Sequence, residues 1–325
     1  MTQDIALTVE NLKVYFGGKR GLLPGRSNTV HAVDGLSFEI PAGTTFGIVG
    51  ESGSGKSTTA LAIMRLVHIT EGNVTLKNTT ISALEGEELR AARSRFQIVF
   101  QDPYSSLDPR KRARSIVREP LDLMNIGTKA DRNAHVAELF RQVGLRPEQQ
   151  ALFPHQFSGG QRQRLGLARA LSTRPELIVC DEPVSALDVA IQAQILNLMC
   201  DLQKELGLTY LFISHDLGVI QHICDTVAVM YLGEIVELAD RQSLFANPRH
   251  PYTKALLNAV PSVNSSQRSS KGRTRLKGDP PSPINLPKGC RFASRCPQAE
   301  PQCSQFSPPL SERTNGHKVA CFLAQ

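Results

Sequence analysis

Gly50-Glu51-Ser52-Gly53-Ser54-Gly55-Lys56-Ser57 is the stretch on which the fold turns. Ahead of it runs Phe46-Gly47-Ile48-Val49, a short apolar run that reads as a buried parallel strand. Behind it, residues 58–66 are rich in Ala, Leu, Ile and Met, which favour a helix. A strand, a glycine-rich turn and Lys-Ser at a helix start give the phosphate-loop pattern its required context. Glycines let the backbone curl so that successive N–H groups point into one concavity, and a helix N-terminus adds positive potential there. Gly50, Ser52, Gly53, Gly55, Lys56, Ser57 and Thr58 are therefore expected to cradle a nucleoside triphosphate. Lys56 is expected to reach the β and γ phosphates, and the Ser57 hydroxyl to hold Mg²⁺.

The rest of the chain sets bounds on this reading. Its 325 residues suit one large or two modest domains, and 41% hydrophobic with 21% charged residues is ordinary for a soluble protein. No apolar run approaches a membrane span, and residues 1–10 lack the basic start and apolar middle of a signal peptide. A cytosolic protein is expected, with any membrane role acting through partners. The net charge of +7 is mild and suits an anionic membrane surface, nucleic acid or simple solubility. Trp is absent and there are only five Tyr, which argues against rows of base-stacking platforms.

Taken in order, residues 5–16 alternate as a strand, and an aromatic ring at its end could stack on an adenine. Phe16 is the first candidate and Tyr15 the second, with core packing as the competing role. A second strand over 35–40 turns at Pro41-Ala42-Gly43 into the strand before the phosphate loop. Short edge strands are expected at 72–76 and 80–81, and a charged helix at 87–95. The strand over 96–100 ends at Gln101, whose amide can reach a nucleotide pocket or serve as a strand-end hydrogen bonder. Residues 115–153 read as helical, broken at Gly127 and Pro147. Ser158 is a natural N-cap for a helix running to Leu171, and Gly159-Gly160 bare its first N–H groups, making a second anion site. The apolar run 177–180 ends in Asp181-Glu182, two carboxylates at the carboxyl end of a buried strand. That placement suits Asp181 to the metal and Glu182 to the water that attacks the γ-phosphate. A helix over 190–206 follows, then a strand over 209–213 that ends at Ser214-His215, where His215 can meet the γ-phosphate.

The motifs at 50–57, Gln101, 158–161, Asp181-Glu182, 185–188 and His215 resemble, in order and spacing, those of ATP-binding cassette (ABC) ATPases. The resemblance covers roughly residues 5–250. It implies an α/β fold: a RecA-like core, an antiparallel β subdomain and a helical subdomain near 88–165, all within a cassette of residues 1–260. It also implies a head-to-tail dimer with two ATP molecules at the interface. Lys56, Ser57, Gln101, Asp181, Glu182 and His215 would serve one ATP, with Ser57, Gln101 and Asp181 about its Mg²⁺. Glu182, His215 and Gln101 would carry the catalysis, while Ser158, Gly160 and Gln161 would reach the ATP of the opposite subunit. Phe157 stands where many relatives carry Leu, a conservative departure.

The stretches 101–110, 181–188, Met230-Tyr231-Leu232-Gly233 and 247–257 look like the peptide-importer branch of that family, the ATPases of dipeptide and oligopeptide permeases. That branch implies a second, different ATPase subunit, two membrane permeases and an extracytoplasmic binding protein. The protein would sit peripherally on the cytoplasmic face of the inner membrane. The basic cluster Arg110-Lys111-Arg112-Ala113-Arg114 would then meet permease or lipid headgroups, not nucleic acid. Related importers also handle nickel chelates and haem. A non-transport cassette of translation or DNA repair is the competing class. Such proteins tend to carry two cassettes or a long coiled coil, and this chain has one cassette and no sustained heptads. A redox- or metal-sensing regulator is a third reading, motivated only by the tail.

Residues 261–288 shift to Pro, Ser, Lys, Arg and Gly, as a linker does. Beyond them lies a Cys-rich extension, 289–325, in which Cys290, Cys296, Cys303 and Cys321 are separated by five, six and seventeen residues. Those gaps are not the two-residue spacing of zinc ribbons, and a cytosolic setting disfavours disulfides. Four thiolates with little other core suit an iron–sulfur cluster, with zinc or unliganded thiols as alternatives. The segment resembles the C-terminal extension of peptide-importer ATPases, some of which carry a [4Fe–4S] cluster, and the same is expected here. Cys180, Cys200 and Cys224 read as small core residues.

Overall fold

The apolar run ahead of the phosphate loop is an inner strand of a broad, mostly parallel sheet. The computed structural model describes residues 4–17, 29–102, 104–259, 278–314 and 316–324. In chain order these begin with β1 (Ile5–Phe16), β2 (Val30–Pro41), β3 (Thr45–Val49), α1 (Lys56–Ile63), β4 (Glu71–Leu76) and β5 (Thr79–Thr80). There follow α2 (Gly86–Ala92), β6 (Phe96–Val99), α3 (Ala113–Leu123), α4 (Lys129–Gln142) and α5 (Gly159–Leu171). Then come β7 (Leu177–Asp181), α6 (Val189–Leu206), β8 (Thr209–Ser214), α7 (Leu217–Ile223), β9 (Thr226–Tyr231) and β10 (Glu234–Asp240). Helices α8 (Arg241–Ala246), α9 (Pro251–Ala259) and α10 (Pro301–Gln305) and strands β11 (Ser311–Thr314) and β12 (His317–Val319) complete the order.

Among the described residues the strands form two sheets. One is antiparallel, in the order β2-β1-β4-β5; the other has eight strands, in the order β11-β12-β10-β9-β3-β8-β7-β6. From β9 through β6 neighbouring strands are parallel, which buries both faces and explains the near-continuous apolar runs. Because successive side chains alternate faces, each strand feeds two cores. Ile178, Cys180, Tyr210 and Phe212 join the core beneath the helical layer, whereas Leu177, Val179, Leu211 and Ile213 join the one shared with α1 and the antiparallel sheet. The carboxyl ends of β3, β7 and β8 consequently point one way, toward the crevice where ligands bind in such sheets.

The helices start and stop where local chemistry asks. Thr128 caps α4 and Ser158 caps α5, each through a reciprocal box with the residue three positions on (Asp131 and Gln161). Gly207, in the left-handed region, ends α6. Helices α3, α4 and α5 pack on one another through Ile116, Val117, Leu139, Phe140 and Leu165. No helix among the described residues is long and apolar enough to cross a membrane.

The tail departs from the picture of a linker followed by a nearly coreless extension. Residues 261–277 lie outside the described residues, but Pro283 accepts a backbone hydrogen bond from His31 and Leu286 packs on the core. Strand β12 pairs with β10, so the tail extends the main sheet instead of standing apart from it. Phe292 is wholly buried against Tyr231 and Tyr252. The reason lies in side chains that composition undervalues: one aromatic ring and two arginines fasten the segment. Cys180 and Cys224 are buried as expected, whereas Cys200 is half-buried.

Candidate active site

Two positions of the phosphate loop leave no room for a side chain. A Cβ added to Gly50 would stand 2.2 Å from the Met230 carbonyl oxygen, and one on Gly55 would stand 2.1 Å from that of Ala32. Gly55 also has a φ of +104°, a conformation other residues rarely adopt. Lys56 opens α1 and is buried; its Nζ donates to the Gly50 and Glu51 carbonyls at 2.7 and 2.9 Å. Burial holds the Lys56 ammonium below its ordinary pKa, against the opposing pull of Glu182, Asp181 and Glu51.

Strand β7 delivers the first carboxylate. The Ser57 hydroxyl donates to Asp181 Oδ1 at 3.0 Å, so the two expected magnesium ligands already face each other. Burial pushes the Asp181 carboxyl up, and Ser57 acts against that shift. Glu182 follows with a φ of +47°, a strained left-handed turn for a non-glycine residue. Its N–H donates to the Ile213 carbonyl of β8 at 2.9 Å, and the Ser185 hydroxyl donates to its carbonyl at 3.0 Å. These bonds hold the turn that aims the carboxylate into the crevice. Its Oε1 lies 3.0 Å from His215 Nδ1, and its Oε2 accepts from Gln101 Nε2 at 3.0 Å. Three strand ends thus deliver Gln101, Glu182 and His215 to one point.

The phosphate loop, Thr58, Gln101, Glu182 and His215 line a cleft of ≈ 630 Å³; Asp181 is not part of that lining and meets it through its bond from Ser57. Glu51, Leu217 and Leu256 also line it and were not among the residues expected from sequence. Leu256 belongs to α9, inside the 247–257 stretch that family likeness alone had marked. Phe16 stands outside this lining at the end of β1, 43% exposed. Tyr15 is engaged elsewhere: its ring lies 4.3 Å from that of His31, and its hydroxyl donates to Asp34. Ser158, Gly160 and Gln161 sit at the start of α5 and do not line the cleft.

A family model described as ABC transporter matches residues 33–185, and one described as the C-terminal region of oligopeptide/dipeptide transporters matches 236–303. The oligopeptide transport ATP-binding protein AppF of Bacillus subtilis is 51% identical over 322 residues, covering 99% of this chain and 98% of that protein. The chain belongs to the ABC transporter ATPase family. A putative peptide import ATP-binding protein of Brucella ovis is 47% identical, with 99% of each chain covered. Among solved structures, the cassette resembles cbiO1 of Clostridium perfringens, part of an ABC transporter complex, with a TM-score of 0.64 and 26% identity over 75% of this chain and 92% of that one. It also resembles the ATP-binding cassette MJ0796, solved as a post-hydrolysis dimer bound to ADP and Pi, with a TM-score of 0.62 and 29% identity over 72% of this chain and 98% of that one.

The cassette's tail brings its four cysteines into one neighbourhood. Burial pushes the Cys290 thiol up to about 11, and Cys303, Cys321 and Cys296 each add to that shift. Cys296 in turn feels Cys321 and Cys303, and all four thiols are free. Among the described residues, no three His, Cys, Asp or Glu side chains stand close enough to hold a single metal ion.

Proposed function

We propose that this chain is the ATP-hydrolysing subunit of an importer for dipeptides or oligopeptides. The observation that carries the reaction is the convergence of Ser57 with Asp181, and of Glu182 with Gln101 and His215, on the phosphate-loop cleft. Lys56 and the loop N–H groups take the β and γ phosphates; Ser57 and Asp181, with Gln101, hold Mg²⁺, which neutralises charge on the phosphates. Glu182 accepts the proton of the attacking water and His215 meets the γ-phosphate. Phe16 stacks on the adenine. Ser158, Gly160 and Gln161 complete the site of an opposed, different ATPase subunit in a head-to-tail pair. The pair drives two permease subunits fed by an extracytoplasmic binding protein, from the cytoplasmic face of the inner membrane. The peptide assignment is supported by the names of the relatives and by the match of residues 236–303.

Cys290, Cys296, Cys303 and Cys321 are the residues that would hold a [4Fe–4S] cluster, and none is spent in a disulfide; as they stand, no three of them are close enough together to hold one metal ion, so the reading rests on the number and kind of the thiols. Iron and sulfide analysis with a visible spectrum on anaerobically purified protein tests this. Brown protein with about four irons per chain supports the cluster; colourless protein with stoichiometric zinc removes it.

Uptake of labelled di- and oligopeptides by cells lacking the gene, complemented with wild type or Glu182→Gln, tests the function. Uptake restored by wild type alone supports it. Normal uptake in the deletion strain, together with failure to take up nickel or haem, points to a different cargo.

A further inference from the structure

Glu51 is the second residue of the phosphate loop, and every polar group it has is held. Its N–H donates to the Tyr252 hydroxyl of α9 at 2.8 Å. Its carbonyl accepts from Lys56 Nζ at 2.9 Å and from the Ser54 N–H at 3.2 Å. Its carboxylate takes a two-pronged bond from Arg295, with Nη1 to Oε2 at 2.7 Å and Nη2 to Oε1 at 3.1 Å. Arg295 lies 244 residues downstream, immediately before Cys296 in the tail. Its side chain is only 5% exposed, lies over the Tyr231 ring, and donates to the Tyr231 hydroxyl at 3.4 Å.

A glycine-rich loop supplies little stiffness of its own, because each glycine loses more conformational freedom on ordering than any other residue. The order must therefore come from outside the loop. A planar guanidinium gripping both carboxylate oxygens fixes orientation as well as distance, which a single bond does not. Because the Arg295 end of the bond is buried and the Glu51 end is only partly exposed, water competes with it less than at the surface. We propose that Arg295 is a positioning residue for ATP binding: through Glu51 it fixes the loop turn whose carbonyl orients the Lys56 ammonium. The tail is thereby a working part of the nucleotide site, although it touches no phosphate. This rests on the reading of the cleft as an ATP site.

The test is a double-mutant cycle on the full-length chain, with Arg295→Met, Glu51→Gln and both together, plus Arg295→Lys as the conservative variant. Affinity for a fluorescent ATP analogue, KM and kcat for ATP, and the unfolding midpoint are measured for each. Either single change should weaken nucleotide binding and raise KM roughly tenfold, as losing a hydrogen-bonded charge pair does, with kcat altered less than about threefold. The double mutant should be no weaker than the worse single, and Arg295→Lys should recover part of the loss. Two results overturn the proposal. One is a lowered unfolding midpoint with unchanged nucleotide affinity, which reduces Arg295 to a tail fastener. The other is losses that simply add, which removes the coupling. If Arg295→Met does not fold, Glu51→Gln and Arg295→Lys still decide, since both must weaken ATP binding for the proposal to stand. Failure of wild type itself to bind the analogue would instead refute the ATP-site reading.

Discussion

Glu182 and His215 are paired, Oε1 to Nδ1, at 3.0 Å, while the other Glu182 oxygen is held by Gln101. The pair joins the turn after β7 to the end of β8, so the Glu182 carboxylate, the proposed general base, is oriented by two separate strand ends. Side-chain exposure is 14% for Glu182 and 57% for His215. Glu182 is therefore sheltered while His215 faces the open cleft, where the proposed function puts the γ-phosphate.

Glu182→Gln keeps the shape and the Gln101 contact but removes the proton acceptor. It should preserve ATP affinity and lower kcat by about 10²–10⁴. Phosphate release under saturating ATP, beside nucleotide binding, reads both quantities. Turnover near wild type would show that some other group takes the proton. His215→Ala leaves the base in place and should cost less, roughly tenfold to a hundredfold in kcat.

Ser57 and Asp181 share a hydrogen bond before any cation is considered. Asp181→Asn should raise the Mg²⁺ concentration needed for half-maximal turnover far more than it raises the ATP requirement at saturating Mg²⁺. Ser57→Ala should act in the same direction with a smaller effect, because one neutral ligand is lost instead of a charge. Equal sensitivity of both substitutions to ATP and Mg²⁺ would argue that they disturb the loop, not the ion.

Phe16 and Tyr15 were competing candidates for the adenine, and their surroundings separate them. Tyr15 is committed to Asp34 and His31, leaving Phe16 as the exposed ring at the strand end. Phe16→Ala should weaken ATP binding by about 1–3 kcal/mol, the measured worth of a base–aromatic stack. Tyr15→Phe should leave ATP binding nearly unchanged while lowering the unfolding midpoint. A reversal of that pattern would move the stack to Tyr15.

Much of the site was legible because its parts are local. A phosphate loop, a capped helix start at Ser158 and acids at a strand end each declare themselves within a few residues. Strands β3, β7 and β8 were legible for a related reason: a parallel strand buried on both faces leaves an unbroken apolar run. The tail's likeness to the C-terminal region of peptide transporters was legible, but the way it is fastened to the cassette was not. Its attachments depend on single side chains that pair over long separations: Arg295 with Glu51, Arg291 with Asp34 and Glu234, and β12 with β10. No periodicity records such a contact. The cysteines are the conspicuous feature there, and nothing local to Arg291 or Arg295 tells which carboxylates they meet. The basic cluster at 110–114 keeps Arg110 and Arg114 exposed but is not wholly free charge. Lys111 is paired with Glu119, and Arg112 donates to the Ala151 carbonyl and lies over Phe153, so part of that charge is tied up in the fold.

The turn before α9 makes the last prediction. His250 is buried, and its Nδ1 accepts from the Tyr252 N–H at 3.1 Å, which requires an unprotonated nitrogen there. Burial lowers the His250 pKa from 6.5 to about 4, with Lys254 adding to the shift. The unfolded chain therefore binds a proton between those values that the folded chain refuses, and stability must rise with pH across that window. Acidifying from about pH 6.5 toward 4 should cost up to about 3 kcal/mol from this one group, before other titrations are counted. His250→Gln removes the titration, so its stability should fall less steeply over the same range, whatever its value at neutral pH. The neighbouring Glu237 is wholly buried and accepts from the Arg249 and His250 N–H groups, and it lies 2.7 Å from His317 Nε2 on β12. The turn thereby links α9 to the tail, and its Tyr252 hydroxyl holds Glu51 in the phosphate loop. Denaturant unfolding at a series of pH values measures the slope for both proteins. Parallel curves would show that His250 does not set the acid sensitivity of this turn.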